Sequence, residues 1–240
     1  MLKKVFFIFL LFWSNMSECN AQISIGMQLG ATDNYLNTSI NNLPSTVIKS
    51  HLGYKIGIPI LYKISSTILI EGCPSLIQKN YSINRTDSLE GIVTQYNNTY
   101  TQLGVICHFV YGRQLQVFGG AGYYVAYWLT GTLKGKVPDI FSVSTNGTTQ
   151  NENFRLASFN EKYSFNPQRD NRFEMGWLAT CGLEYHCIDP YTLFLKCSYS
   201  QSLTDQQKSY MINQIPQYNQ TFSFSVGVLY SLKQKHNEYM

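Results

Sequence analysis

Ten ionisable side chains stand out in a chain that carries few charges: Lys55, Lys63, Glu71, Lys79, His108, Arg172, Glu174, Glu184, His186 and Lys196. They lie in or beside stretches where polar and apolar residues alternate, on the polar side. Isolated acids and bases sharing one face can pass protons, hold a charged ligand, or neutralise one another. Mutual pairing is the economical reading, because a charge confined away from water must be paired or change its ionisation. Lys55, Glu71, His108, Glu174, Glu184 and Lys196 are the principal ion-pair candidates. A turn at residues 188–190 pairs Cys187 with Tyr191 and sets Glu184 diagonal to Lys196, within reach of a long side chain. Acyl-transfer chemistry needs a serine, a histidine and an acid converging at one rim. Ser50, His51 and Asp33 come nearest to that in sequence, and His108 has no motif partner. No catalytic residue, cofactor site or metal ligand is predicted. Past residue 21 the cysteines are Cys73, Cys107, Cys181, Cys187 and Cys197, an odd number without zinc-site spacing.

The elements that hold these residues follow a period of two. Over residues 172–187, Phe173, Met175, Trp177, Ala179, Cys181, Leu183 and Tyr185 alternate with Glu174, Gly176, Thr180, Gly182, Glu184 and His186. Residues 191–199 and 218–232 repeat the pattern, and looser versions occupy 23–30, 52–63, 67–81, 103–111 and 115–129. None has the 3.6-residue period of a helix. Eight strands result, and the same register places Cys181 opposite Cys197.

Connections between the runs alternate long and short: 32–49, 65, 82–96, 112–113, 131–170, 188–190 and 204–217. In an up-and-down antiparallel barrel that puts every long loop at one end and every tight turn at the other, as in outer-membrane barrels. The faces separate this from a soluble barrel of equal strand number. The polar face is mostly Gly, Ser, Thr, Gln and Asn with a few charges, which suits the crowded interior of a small barrel. The apolar face is large and unbroken, as lipid permits. Aromatics fall toward strand ends: Tyr54 and Tyr62, Phe173 and Tyr185, Tyr191 and Tyr199, Tyr218 and Tyr230. The eight residues from Tyr191 to Tyr199 span roughly 26 Å along a strand, the spacing of two interfacial belts.

Composition agrees. The 240 residues are 44% hydrophobic and 15% aromatic but only 13% charged, about half the ~25% usual for soluble proteins. A disordered chain, a charge-rich soluble bundle and a multi-span helical protein are excluded. Residues 1–21 read as an export signal: Lys3 and Lys4, a nine-residue apolar stretch, and small side chains at Cys19 and Ala21 that place cleavage before Gln22. Removing them takes two lysines and one glutamate from the formal +4 and leaves +3, too mild and scattered for nucleic acid. The domain layout is then signal 1–21, barrel 22–232 and tail 233–240.

Several stretches resemble the PorT-like outer-membrane β-barrels of the Bacteroidetes: the Cys-Asn-Ala-Gln signal end, YTQLGVICHF at 100–109, VFGGAGYYVAY at 117–127 and GLEYHCIDPYTLFLKCSYSQSLTD at 182–205. The chain departs from that pattern at Gly104 and Val105, where a proline is usual, and in its tail. The resemblance implies an outer-membrane location, a non-enzymatic role and, for some relatives, a part in protein secretion. The expectation is therefore an all-β, eight-stranded antiparallel transmembrane barrel, monomeric, with a filled lumen. Its partners are outer-membrane lipid and an envelope secretion or transport complex. Its role is structural, adhesive or accessory, with a small porin and a lipid-modifying enzyme as the competing classes. The loops, rich in Asn, Ser, Thr, Gln and Tyr at 35–46 and 95–102, are where recognition would occur.

Overall fold

The computed structural model of the chain describes residues 23–38, 45–139, 156–212 and 214–232. The expected signal at 1–21 and the tail at 233–240 lie outside the described residues. Among the described residues eleven strands form one antiparallel sheet: β1 Ile23–Thr38, β2 Thr46–Gly57, β3 Ile60–Lys63, β4 Ile68–Gln78, β5 Asn80–Arg85, β6 Val93–Gly112, β7 Leu115–Pro138, β8 Leu156–Lys162, β9 Phe173–Ile188, β10 Tyr191–Ser202 and β11 Gln217–Leu232. The first strand pairs with the last over its whole length, from Ile23 with Leu232 to Thr38 with Gln217. Ten strands thus close a ring, and β8 attaches only to the far end of β7.

The count of eight strands is therefore corrected to eleven, for local reasons. The run at 52–63 breaks where Pro59 has no N–H to donate. The run at 67–81 breaks at Lys79, because the register against β2 slips by one residue between Lys55–Ile77 and His51–Asn80. There the Asn80 side chain donates to the Leu52 carbonyl at 2.9 Å, so the bulge leaves that carbonyl bonded. β8 lies inside the connection that shows no pattern in sequence. Several strands also run past their predicted ends, β6 from Val93 and β7 to Pro138, and lift the sheet beyond the alternating segment. No helix among the described residues is long and apolar enough to cross a membrane.

The burial pattern is inside out. Along β1 the exposed positions are Ile25, Met27 and Leu29, while Gln28, Thr32 and Asn34 are buried. On β10 and β11, Leu193, Leu195, Phe224 and Val226 face outward, and Thr192, Lys196, Ser198, Ser223 and Ser225 inward. An apolar band this large cannot be left in water. A closed barrel meets the bilayer's demand that every backbone group be bonded internally.

Candidate functional site

Large side chains fill the lumen where the opposing strand offers glycine. A Cβ on Gly176 would lie 2.7 Å from the Tyr124 ring, and one on Gly227 would lie 2.4 Å from the Phe194 ring. These contacts leave no room for alanine, so the glycines are what lets the interior hold aromatic rings. Between them sit two charged clusters. Toward the loops, Lys79 pairs with Glu174. The Glu174 carboxylate also accepts from the Tyr124 hydroxyl at 2.7 Å and from Asn219 Nδ2 at 2.8 Å. The Lys79 ammonium lies over the Tyr100 and Tyr124 rings, 5.1 and 4.8 Å from their centroids, and Lys79 is wholly buried. Asn219 is held by Asn34, which in turn accepts from Thr221.

Deeper in the barrel, Glu71 takes Lys196 Nζ at 2.6 Å on one oxygen and His108 Nε2 at 2.9 Å on the other. Thr180 lies 3.5 Å from the second nitrogen of His108. A cavity of about 20 Å³ remains beside this cluster, room for about one water. Both carboxylates are satisfied on both oxygens, the condition under which a buried pair is tolerated.

Not every candidate is paired as expected. Lys196 reaches across the lumen to Glu71, not along the sheet to Glu184. The turn pairs Ile188 with Tyr191, and an irregularity next to Tyr191 restores the predicted register, so Cys181 does face Cys197 and Glu184 does stand diagonal to Lys196. Both cysteines are free thiols. Lys55, 8% exposed, forms no hydrogen bond or ion pair among the described residues. Arg172 lies outside the lumen, at the loop end. It stacks over Phe165 and Tyr127, 4.2 and 4.6 Å from their centroids, and donates to the carbonyls of Trp128 and Leu129. His186 bonds Thr192 at 2.7 Å near the short-turn end, where Lys63 also sits. No hydrogen bond joins Ser50, His51 and Asp33, and Asp33 points outward.

Of the aromatic candidates, Tyr54, Tyr62, Phe173, Tyr185, Tyr191 and Tyr230 are exposed, and Tyr199 and Tyr218 are half-buried. Tyr191 and Tyr230 touch at 5.5 Å, and Tyr199 touches Trp177 at 5.5 Å. Tyr124 and Asn219, which complete the Glu174 site, are absent from the sequence-based candidates. Tyr124 had a signal: a bulky residue on the face otherwise carrying Gln116, Gly120 and Gly122.

A third arrangement closes the loop end. Trp128, Tyr163 and Phe165 stack within 5.0–5.3 Å of one another above Tyr100. Asp170, almost fully buried, accepts from the Tyr163 hydroxyl at 3.0 Å, Arg169 Nε at 2.8 Å and the Asn166 backbone at 2.7 Å. Burial and the Asp170 carboxylate push the Tyr163 phenol up to about 12. The hydrogen bond to Asp170 holds the Arg169 guanidinium above its ordinary value. Segment 203–216 locks onto this hub: Asn171 N donates to Gln206 O, Lys208 N to Arg169 O, and Gln206 Nε2 to the Tyr100 hydroxyl.

None of the curated proteins compared with the chain matches it in sequence. Solved structures are similar to it at low identity. OprG from Pseudomonas aeruginosa is 10% identical, with 90% of this chain and 98% of that one covered and a TM-score of 0.49. Neisserial surface protein A is 11% identical, covering 87% and 97%, at 0.43. The outer membrane protease OmpT from Escherichia coli is 12% identical, covering 88% and 96%, at 0.43. A protease stands among these similar structures. The expectation of a chain without enzymatic activity is withdrawn, because a fold does not decide function and a barrel is no ground for excluding catalysis. The profile of the outer membrane protein beta-barrel domain matches residues 14–208. An inside-out barrel and a family match over most of the chain lead to one conclusion: the chain belongs to the outer membrane protein beta-barrel family and resides, surrounded by lipid, in the outer membrane.

Proposed function

We propose that this protein is a closed membrane wall carrying a preformed surface of external loops, serving adhesion or acting as an accessory of an envelope secretion or transport complex. The observation that carries the reading is the blocked lumen beneath an ordered roof: two satisfied charge clusters, a residual cavity of about 20 Å³, and the Trp128–Tyr163–Phe165 stack tied down by Asp170. In this reading the ten ring strands act as eight staves, with β2 continuing into β3 and β4 into β5. The barrel works as a monomer, residues 1–21 direct export, and the pairs of aromatics at strand ends anchor it at the two interfaces. Kinship with the PorT-like barrels rests on the motifs at 100–109, 117–127 and 182–205.

Planar-bilayer recording of the full chain tests the closed wall. The expected outcome is no sustained conductance, and stable open steps would replace this reading with a small porin. Co-purification from outer membranes in mild detergent then separates the two roles. A stoichiometric envelope partner marks an accessory, and its absence leaves adhesion.

A further inference from the structure

The short-turn end holds a cavity of about 340 Å³ that none of the ion pairs fills. It opens beside Ser66 and Asp189, on the side that faces the periplasm in outer-membrane barrels. Its floor is aliphatic, made by Leu61, Leu69, Val110 and Leu229. Glu184 stands in its wall, 6% exposed, and makes no hydrogen bond or ion pair with any described residue. Of the buried cations, Lys196 and His108 are engaged on Glu71 and Lys79 on Glu174, and Lys55 lines the small cavity beside Glu71, not this one. Lys63 also lines the cavity but is half-exposed at its rim, and Asp189 adds a second acid near the mouth.

A buried carboxyl without a partner is costly, and the cost disappears when a charged donor arrives from outside. The volume lies in the range of small-molecule sites, and the vestibule sets an aliphatic floor against a mostly polar wall. We propose that this vestibule binds a small organic ammonium ion with an apolar body. The ammonium donates to the Glu184 carboxylate and the hydrocarbon covers the Leu61–Leu229 floor. The polarity follows from depth: the buried charged group is an acid, whereas the one flanking lysine is solvated.

The test uses the full chain in detergent micelles, with n-butylammonium as probe and butyrate as its opposite-charge counterpart. Backbone amide shifts at Gln116, Glu184 and Thr192 report binding. Saturable shifts are expected with butylammonium, and binding about tenfold weaker or worse with butyrate and in Glu184→Gln. That factor is the low end of a charge-assisted hydrogen bond. Ser66→Trp, which narrows the mouth without touching the acid, is expected to weaken butylammonium as well. Equal binding of butyrate, unchanged binding in Glu184→Gln, or no saturable shift would overturn the proposal. Should Glu184→Gln fail to fold, the two probes on the parent chain and Ser66→Trp still decide it.

Discussion

The two ends of the lumen are closed by different means. At the loop end, rings from β7 and from segment 163–172 stack over the Lys79–Glu174 pair; Asp170 holds that segment together, and backbone bonds from Asn171 to Gln206 and from Lys208 to Arg169 tie it to the chain before β11. At the short-turn end the described residues close the lumen with side chains of the wall itself: Leu61, Leu69, Val110, Phe118, Phe194 and Leu229 meet across the barrel, with an open vestibule beneath. Chain length explains the contrast. Connections at the short-turn end are residues 64–67, 113–114 and 189–190, too few to fold back over an opening. Segments 163–172 and 203–216 are long enough to become a roof. Closure by wall side chains relies on apolar packing, and closure by loops relies on a polar hub that holds rings in place.

The largest effect is expected at the loop-side cluster. Glu174→Gln leaves Lys79 buried without a counter-charge, at an expected cost of about 3–5 kcal/mol. It should appear as a lower urea midpoint for loss of the heat-modifiable form. Leu229→Ala removes packing at the other end, with an expected loss of about 2–5 kcal/mol by the same assay. An undiminished midpoint would mean that the short-turn layer does not seal the wall. Asp170→Asn should behave differently from both. It weakens the hub by about 1–3 kcal/mol, so protease cutting within 163–172 accelerates while the barrel's own midpoint holds. If the midpoint falls with it, roof and wall are one unit and the contrast fails.

The smallest effect is a pH dependence confined to the roof. Tyr163 keeps its proton more tightly in the folded protein, at about 12, than the ordinary phenol near 10. Between those values the folded state binds more protons than the unfolded one, so the stability it contributes is complete below pH 10 and is lost as pH rises toward 12. Phenolate absorbance of the parent minus that of Tyr163→Phe should show one tyrosine titrating late. A difference curve centred near 10 would remove Asp170 from its role.

Much of the wall was legible because a lipid-facing strand must alternate, and a period of two survives in sequence whatever the neighbours are. That is why the register of β9 against β10 came out correctly, with Cys181 opposite Cys197, although the turn itself pairs differently. β8 left no such trace. It pairs on one side only, beyond the alternating part of β7, and all of its residues are exposed or half-buried, so no second medium imposed a pattern on it. The partner of Lys196 was illegible for another reason: Glu71 lies 125 residues away on β4, and only the curvature of the closed barrel brings the two together. Sheet-neighbour reasoning could offer Glu184 and nothing across the lumen.

The amino-acid sequence by itself determined which residues face lipid, which face inward, and at which end the long connections lie, because each follows from local periodicity and spacing. Only the tertiary structure decided which inward charges meet, how segment 163–172 becomes a roof, and that Glu184 is left facing an open vestibule. Those outcomes depend on distances across a closed ring, and a linear pattern carries no distance between residues that meet only when the ring closes.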